Sequence, residues 1–347
     1  MDQRADTADR RPLKGKRAWI ITDGKAGMDV QAKGVADALG LAYEMKRVEP
    51  RGIWSIIAPW GPVDPAVRFG QDGGQFAPPW PEVAIATGRA SIPYIRALRR
   101  AAGLRTYTIV LQDPKTGAKT ADLIWVPEHD RLRGANVVAT LTAPHSFSQQ
   151  RLAELRGSLP PEIAALQGPV ITIVLGGKNG SYKFTDADDD RLEASIRSLG
   201  RLGASFMITS SRRSHRRLIR VIDAATEGRP RILWTGDGPN PYPFFLAAAD
   251  WLVVTADSVN MTGEACATGR PVYVFEPSGG SAKFRRFHDA LRRSGATRTL
   301  PATVEALEPW SYKEIDSATT IAEEICRRFS RRLKMLSGMT SEPSGQR

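Results

Sequence analysis

Short runs of apolar, often β-branched residues alternate along nearly the whole chain with longer stretches in which apolar residues recur every three or four positions. The short runs have the length of buried strands, and the longer stretches are typical of amphipathic helices. A repeated strand-then-helix pattern predicts an α/β fold, with parallel sheets covered by helices on both faces. The predicted strands are 18–22, 83–87, 106–111, 123–126, 137–139, 170–175, 205–209, 231–234, 251–255 and 272–275. The predicted helices are 28–39, 92–102, 186–202, 215–225, 243–249, 261–268, 283–293 and 315–333.

Two groups of strands lie on either side of a segment rich in helix-breaking proline and glycine, at 151–169. We interpret this segment as a linker, because domain boundaries fall in such sequences. The pattern therefore predicts two Rossmann-like parallel-sheet domains that face each other across a cleft, at 16–150 and 170–314. The other predicted parts are a disordered tail at 1–15, an irregular insertion at 52–81, a C-terminal helix at 315–336 that could cross back, and a second disordered tail at 337–347.

The composition of the 347 residues is that of a globular protein, with 41% hydrophobic and 25% charged residues. No apolar run approaches the roughly 18 residues that a membrane-spanning helix needs. The charged N-terminus lacks the apolar core of a secretory signal. The two cysteines, Cys266 and Cys326, have no CxxC spacing. We therefore expect a cytoplasmic protein in a reducing setting.

Basic residues outnumber acidic ones by 49 to 37, which gives a formal net charge of +12. Such an excess favours anionic partners: nucleic acid, an anionic membrane surface or a phosphorylated substrate. Much of it lies in arginine pairs on predicted helix faces, for which a solvated surface is the simpler interpretation. Because no aromatic residues are interleaved with the basic runs, we expect no nucleic-acid partner. A peripheral position on the inner membrane is an option.

The first glycine-bearing turn follows the first predicted strand and contains Gly24, Lys25 and Gly27. Glycines at a helix N-terminus let backbone N–H groups approach an anion, and the lysine adds a positive charge. A tight structural turn is the alternative, since the sequence matches neither the Walker A nor the GxGxxG pattern. Asp23 is the first candidate for a general base because it follows a strand at the carboxyl edge of the sheet, although it could also cap the turn.

Two further strands of the first half end in polar residues. We assign these to the acceptor side of a site, because ligands bind at the carboxyl edge of such sheets. The residues are Gly88, Arg89, Gln112 and Asp113. The four histidines lack metal-ligand spacing, so we expect no metal site.

A second glycine turn follows the first strand of the C-terminal half, and its residue types suit contact with phosphate. These residues are Gly176, Gly177, Lys178, Asn179 and Ser181. The next strand ends near Ser210, Arg212 and Arg213, and the two arginines could hold a diphosphate by paired hydrogen bonds. A solvated helix start is the alternative for them.

The third signal, at 249–275, is a pattern of strand, polar turn, short helix, glycine break and strand. Glu264 lies between small residues of the helix, where a buried carboxylate without a partner would be costly. A sugar diol would supply that partner, because a carboxylate accepts hydrogen bonds from two hydroxyls. The polar turn, whose first two residues could cap the helix, and the following helical turn add the candidate donor contacts Asp257, Ser258, Met261 and Thr262.

This segment resembles the donor-nucleotide site of GT-B glycosyltransferases, in particular the family of the lipid II-forming N-acetylglucosaminyltransferase. In that family a glycine-rich loop contacts the diphosphate and a helix glutamate holds the ribose of UDP. The resemblance implies the first role for Gly176 and Gly177 and the second for Glu264. Val259 and Asn260 stand where the family has Arg-Ala-Gly. The other positions that match the motif are Ser258, Thr262, Gly269 and Pro271.

Over nearly its whole length the chain more closely resembles the elongated-mitochondria fission-protein family, which occurs in plants and in many bacteria. The stretches that carry the resemblance are 19–28, 86–94, 111–115, 175–178, 209–213 and 255–261. The resemblance implies a GT-B-like fold. For the plant members it implies recruitment of a dynamin-related protein to mitochondria. The arginine-heavy composition of this chain favours a bacterial member.

Two hypotheses of function follow. The first is a GT-B-like glycosyltransferase that transfers a sugar from a nucleotide diphosphate donor to an acceptor, which could be lipid-linked or part of the cell envelope. In this hypothesis the nucleotide sugar is a substrate and no cofactor is expected. The second is a non-catalytic scaffold of the same fold that recruits a protein partner to a membrane surface.

Overall fold

The structure is a computed structural model, and it describes residues 12–340. The described chain forms two compact units, each built on one six-stranded parallel sheet. The first unit consists of 12–140, 144–146 and 317–340, and the second consists of 141–143 and 147–316. The predicted α/β fold class, with two Rossmann-like parallel sheets, is therefore confirmed.

The sheet of the first unit has the strand order β2-β1-β3-β4-β5-β6. Its strands are β1 (Arg17–Thr22), β2 (Ala42–Arg47), β3 (Val83–Thr87), β4 (Tyr107–Leu111), β5 (Leu123–Pro127) and β6 (Val137–Thr140). Its helices are α1 (Ala26–Leu39), α2 (Ile53–Ile57), α3 (Ile92–Ala102) and α11 (Ser317–Thr340). Because all neighbouring strands are parallel, the carboxyl ends of β1, β3 and β4 lie side by side at one edge of the sheet.

Helices cover both faces of this sheet, which explains why its central strands are apolar on both sides. On one face, Trp19 and Ile21 of β1 share a core cluster with Tyr94 of α3. On the other face, α1 packs against β1 and β3. Gly34 of α1 lies so near the backbone at His145 that an added Cβ would be 2.6 Å from the His145 carbonyl carbon. The close packing of α1 therefore requires a glycine at this position.

The last helix, α11, belongs to the first unit although it follows the second unit in the sequence. It packs against α1 and β6, and Ile321 and Ile325 are fully buried. Arg332 fixes it further, because its Nη1 lies 3.0 Å from Asp122 Oδ2. The helix expected at 315–336 thus returns to the first unit.

The sheet of the second unit has the strand order β12-β11-β10-β7-β8-β9. Its strands are β7 (Val170–Leu175), β8 (Ser205–Ser210), β9 (Arg231–Trp234), β10 (Trp251–Thr255), β11 (Val272–Phe275) and β12 (Thr297–Thr299). Its helices are α4 (Gln149–Arg156), α5 (Pro161–Ala164), α6 (Asp186–Arg201), α7 (Arg216–Ala225), α8 (Tyr242–Ala248), α9 (Val259–Cys266) and α10 (Ala282–Arg293). β7 is central, and its neighbours β8 and β10 present their carboxyl ends beside its own.

The segment expected to be a linker, 151–169, is part of the second unit. Leu152 and Leu155 of α4 are buried in the main core of that unit, and Ile163 of α5 packs with Phe245 of α8. Proline and glycine keep these two helices short, but the apolar residues between the breakers cover α8. Breaker residues alone therefore did not mark the domain boundary.

The tails expected at 1–15 and 337–347 lie largely outside the described residues. Residues 12–15 form a turn in which Leu13 is fully buried, and α11 continues to Thr340. Both described parts are thus ordered extensions of the first unit.

Asp188 at the start of α6 is buried and joins this helix to the loop after β11. Its carboxylate accepts hydrogen bonds from the Thr185 N–H at 2.8 Å and from the Ser278 N–H at 3.0 Å, and it pairs with Arg191 at 2.8 Å. Burial by itself raises the pKa of this carboxyl. The hydrogen bonds outweigh that effect and hold the pKa below its usual value of 3.8.

We predict that Asp188→Asn lowers the free energy of unfolding by about 2 kcal/mol at neutral pH, because an amide cannot accept all of these hydrogen bonds. Stability that comes from a lowered carboxyl pKa is present above the unfolded-state pKa and is lost as the pH falls through the folded-state pKa. The difference between variant and wild type should therefore shrink in acid. Urea denaturation at neutral and acid pH measures both effects. Asp186→Asn, in the same helical turn with an 85% exposed side chain, is the control and should change little; equal losses in the two variants would contradict the assignment.

Candidate functional site

The glycine turn of the second unit lies where the neighbouring strands β7 and β10 end. The Gly176 N–H donates to Thr255 Oγ1 at 2.8 Å, and the Gly177 N–H donates to Asp257 Oδ2 at 3.1 Å. A Cβ on Gly176 would overlap the Asp257 carboxylate. Glycine is therefore required at position 176 because an acidic side chain packs directly on the turn, and both glycine N–H groups are bound within the protein.

The Asp257 side chain is fully buried and both of its oxygens are engaged. Oδ1 accepts the Thr255 hydroxyl at 2.7 Å, and Oδ2 lies 2.8 Å from Arg213 Nη2. Ser258 is the N-cap of α9, with its Oγ accepting the Met261 N–H at 3.3 Å. Of the two residues expected to cap this helix, Asp257 instead fastens the glycine turn to β10.

The loop that follows β8 supports the glycine turn from a second side. Arg213 Nη1 donates to the Gly177 carbonyl at 2.9 Å, and the Ser214 hydroxyl donates to the Gly176 carbonyl at 2.6 Å. A Cβ on Gly177 would overlap the Arg213 carbonyl oxygen. The guanidinium of Arg213, expected to grip a diphosphate, thus holds the turn in place. The neighbouring Arg212 is exposed.

The remaining residues of the turn divide into structural and exposed groups. Asn179 Nδ2 donates to the Asp257 carbonyl at 3.0 Å, and its Oδ1 accepts the Ser181 N–H at 2.7 Å. Ser210, at the end of β8, is buried. Lys178 is exposed and has no ion pair among residues 12–340. Its charge is available to an anion.

Glu264 lies in α9, two helical turns after the polar turn, and is only 7% exposed. Its Oε2 accepts the Tyr242 hydroxyl at 2.7 Å. Burial raises the pKa of the Glu264 carboxyl above its usual 4.5, with the Tyr242 hydrogen bond acting in the opposite direction. Burial and the nearby carboxylate also raise the pKa of Tyr242 well above its usual value. Thr262, two residues before Glu264 in the same helix, is fully buried, and its hydroxyl donates to the Ser258 carbonyl at 2.9 Å.

Sequence reasoning did not find Tyr242 or Thr255. Tyr242 begins α8, which lies 22 residues before Glu264 in the chain. Nothing in that spacing indicates a contact, because it depends on how α8 and α9 pack in three dimensions. Thr255 is the last residue of β10 and resembles any other β-branched strand residue.

In the first unit, Asp23 follows β1 and lies against Gly88, which follows the neighbouring strand β3. A Cβ on Gly88 would be 2.6 Å from Asp23 Cγ, and its φ of +87° also favours glycine. Asp23 Oδ2 pairs with Lys25 Nζ at 2.7 Å. Asp23 Oδ1 is buried and has no hydrogen-bond partner among residues 12–340. A buried carboxylate oxygen without a donor is costly, and a ligand hydroxyl could satisfy it.

The other acceptor-side candidates fall into three groups. Gln112, with a φ of +76°, directs its Nε2 to Gln31 Oε1 at 3.1 Å. Asp113 pairs with Lys115 at 2.7 Å. Arg89 donates to the carbonyls of residues 56 and 58, so its guanidinium holds the loop after α2.

The first glycine turn differs from the expected one in a single respect. Gly24, with a φ of +78°, lies beside Arg47, where a Cβ would be 2.7 Å from the Arg47 Nε. Gly27, expected in the turn, is instead the second residue of α1. The helix begins two residues before its predicted start, so this glycine is not a turn residue.

Within residues 12–340, no group of three or more His, Cys, Asp or Glu side chains is arranged to hold a metal ion. None of the helices in the described part of the chain combines the length and hydrophobicity that crossing a membrane requires.

Comparison with known families gives a match over residues 26–329 to the family model described as Mitochondrial fission ELM1. This match spans both units. The chain belongs to this family.

This member of the ELM1 family is similar in sequence to two curated relatives. It is 28% identical over 276 residues to the Mitochondrial fission protein ELM1 of Arabidopsis thaliana, covering 73% of this chain and 65% of the plant protein. It is 30% identical over 159 residues to the uncharacterized protein RP120 of Rickettsia prowazekii, covering 44% of this chain and 45% of that protein. The matched part of the chain thus spans less than two thirds of either relative.

Solved structures resemble the ELM1 family member in fold at low sequence identity. MurG of Acinetobacter baumannii has a TM-score of 0.50 at 13% identity and covers 92% of each chain. The UDP-GlcNAc 2-epimerase of Methanocaldococcus jannaschii, in complex with UDP-GlcNAc and UDP, has a TM-score of 0.51 at 11% identity and covers 91% of this chain and 99% of its own. These neighbours show a GT-B-like fold.

We predict that Gly177→Ala destabilises the protein by about 1–3 kcal/mol, because the new methyl group overlaps a backbone carbonyl that cannot rotate away. Gly180→Ala is the matched control, since a Cβ there meets nothing within 4 Å. Thermal and urea denaturation of both variants measure the difference. If Gly177→Ala were as stable as Gly180→Ala, the turn would not be packed as described.

Proposed function

We propose that this protein is a GT-B-like glycosyltransferase that binds a nucleoside-diphosphate sugar at the carboxyl edge of the second sheet and transfers its sugar to an acceptor. The observation that carries the proposal is the buried carboxylate of Glu264. Glu264 lies on α9, which begins beside the glycine turn, and its carboxylate accepts a hydrogen bond from Tyr242 of α8. The side-chain hydrogen bond of this carboxylate within residues 12–340 is the one that Oε2 accepts from Tyr242. A carboxylate in this setting needs further hydrogen-bond donors, and a ribose diol provides two.

The hydrogen-bonded pair of Glu264 and Tyr242 explains how a pentose would be recognised. With one oxygen held by the Tyr242 hydroxyl, the carboxylate has a fixed orientation, and we propose that Oε1 accepts hydrogen bonds from the ligand. Two ribose hydroxyls favour the ionised form, because hydrogen bonds to a carboxylate lower its pKa. Donor binding is therefore linked to loss of a proton from Glu264 and should weaken in acid.

The phosphates would be held differently from what the glycine pair implies. The N–H groups of Gly176 and Gly177 already donate within the protein. The exposed Lys178 and Arg212 supply positive charge next to this rigid turn. Cationic side chains at a preorganised site stabilise the charge that develops on a departing diphosphate. We propose that these two cations do so here, without a resident metal.

One structural neighbour supports this choice of ligand. The archaeal epimerase of similar fold is described in complex with UDP-GlcNAc and UDP. Likeness at 11% identity concerns the fold, so the ligand comes to this chain as a proposal. The net charge of +12 favours a lipid-linked or cell-envelope acceptor, with the protein working in the cytoplasm at the inner membrane.

Asp23 is the proposed general base in the first unit. Its Oδ1 is buried without a donor, so it can accept the proton of an acceptor hydroxyl as that oxygen bonds to the sugar. The nucleoside diphosphate leaves with the electron pair of the broken glycosidic bond. Gly88 holds the carboxylate in one position, because its lack of a side chain allows direct contact.

The second candidate function is a scaffold that keeps the fold without catalysis. The family description, Mitochondrial fission ELM1, and the same name of the plant relative favour it. A ligand would satisfy the buried Asp23 Oδ1, which has no donor among residues 12–340, whereas a scaffold gives this atom no partner. Ligand binding separates the two functions.

We predict that one nucleotide sugar from a panel of UDP-, GDP-, ADP- and CMP-sugars stabilises the protein against heat, by about 2.7 kcal/mol at about 100 times its Kd. Glu264→Gln should abolish most of this stabilisation, because the amide is uncharged and has one accepting oxygen to share between Tyr242 and the ribose hydroxyls, whereas the carboxylate has two. Glu193→Gln, at a partly exposed carboxylate paired with Arg197 on α6, is the control and should keep it. No shift with any donor would remove the support for an enzyme and favour the scaffold.

We predict that Asp23→Asn lowers the transfer rate by at least about 100-fold and leaves donor binding unchanged, because a general base contributes roughly 10²–10⁴-fold. The measurement is the release of nucleoside diphosphate. The assay uses the donor that the nucleotide-sugar panel identifies and an acceptor identified in a cell-envelope extract. Asp37→Asn, on α1 of the same unit, is the control and should retain the rate. A variant of Asp23 with undiminished rate would assign the base elsewhere.

A further inference from the structure

The insertion at 52–81 contains a short surface helix that, unlike the other helices described, buries none of its residues. None of the residues of α2 (Ile53–Ile57) is buried. Ile53 is 61% exposed, Ile56 is 72% exposed and Trp60, just beyond the helix, is 62% exposed. We call these three side chains the apolar patch. They belong to the few large hydrophobic residues that the described chain exposes, and they lie within eight positions of one another.

Arginines rather than core packing hold this segment in place. Arg89 donates to the carbonyls of Ile56 and Ala58, and Arg96 Nη1 donates to the Trp60 carbonyl at 2.9 Å. Positive charge at the carboxyl end of a helix also interacts favourably with its dipole. The backbone polar groups are thus satisfied, while the apolar side chains remain in solvent.

The charge of these arginines is not neutralised within the patch. Arg89 and Arg96 bind backbone carbonyls, and neither has a carboxylate partner among residues 12–340. The exposed Arg51 and Arg100 have no ion pair in the same range. Asp64 is buried, and its carboxylate accepts the backbone N–H groups of residues 51 and 66. We call Arg51, Arg89, Arg96 and Arg100 the arginine cluster.

A cavity of about 320 Å³ opens beside the patch. Apolar side chains form much of its wall, and the guanidinium groups of Arg96 and Arg100 form the rest. Its lining includes Trp60, Pro62, Val63, Phe69 and Pro93. An apolar wall next to two guanidinium groups suits the glycerol backbone and phosphate of one anionic phospholipid.

We infer that the apolar patch and the arginine cluster form a docking surface for an anionic lipid bilayer. Exposed isoleucines and a tryptophan beside basic residues are the composition of interfacial membrane-binding segments, with tryptophan at the level of the headgroups. Uncompensated arginines attract anionic lipids over the range of the Debye length. The commitment to lipid rests on this charge complementarity. This docking surface is the part of the protein that would contact the inner membrane in the proposed function. Membrane binding through it does not depend on the transfer reaction.

Flotation of the purified protein with lipid vesicles tests the inference. The protein should float with vesicles of phosphatidylcholine mixed with phosphatidylglycerol, and much less with phosphatidylcholine alone. Added salt should weaken this binding, because it screens the arginines. A wild-type protein that floats with neither kind of vesicle overturns the inference.

Paired variants locate the binding surface. Ile53→Ser with Ile56→Ser should weaken partitioning by more than about tenfold. Arg51→Gln with Arg100→Gln should weaken it by about fivefold for each charge removed. The matched controls are Met335→Ser, a 66% exposed apolar residue on α11, and Arg220→Gln, an exposed arginine on α7. All variants should keep the wild-type melting temperature, since the replaced side chains are exposed.

Two outcomes would assign the surface to something else. If the patch variants float as well as the controls, the membrane contact lies elsewhere and the inference is overturned. If the wild type instead forms a dimer in analytical ultracentrifugation that the isoleucine variants abolish, and does not float, the patch is an interface between two copies. The flotation assay contains no nucleotide and the donor screen contains no vesicles, so the failure of one proposal is separate from the failure of the other.

Discussion

The buried carboxylate of Asp257 is the interaction on which the candidate site depends. It joins the turn after β7, the loop after β8 and the end of β10 through Gly177, Arg213 and Thr255. Burial of a charge is unfavourable unless it is paired and hydrogen-bonded, and here both carboxylate oxygens are satisfied by protein groups. The direct packing of this carboxylate on Gly176 leaves no space for a side chain there. The start of α9, and with it the position of Glu264, is set by the same network.

The two units use a similar contact with a different outcome. In each, an aspartate after one strand packs against a glycine after a neighbouring strand: Asp257 on Gly176, and Asp23 on Gly88. Asp257 has donors for both oxygens, so it is structural. Asp23 has one buried oxygen without a donor among the described residues, and this is the oxygen to which the proposed reaction assigns the proton of the acceptor. The difference lies in the groups around the carboxylate rather than in the backbone.

The sequence pattern predicted ten of the twelve described strands and the fold class. Eight of the ten are central strands, which are continuous apolar runs because they are buried on both faces, and the other two, β6 and β9, are short edge strands. It missed β2, an edge strand in which exposed and partly buried residues alternate and β-branched residues are absent, and β12, which has three residues. The candidate loops were found because glycines and polar residues follow strands. Their partners were not: Gly177 and Asp257 are 80 residues apart, and only the strand order places them together.

The return of α11 to the first unit has a consequence for how the chain folds during synthesis. A ribosome releases the strands of the first sheet early, but the helix that covers α1 begins at Ser317. Until then, the apolar face that Ile321 and Ile325 will cover stays open to solvent. The second unit has a contiguous core and can fold first, although its residues emerge later. The apolar face of the first unit is therefore open to chaperones in a nascent chain until the residues of α11 have been made.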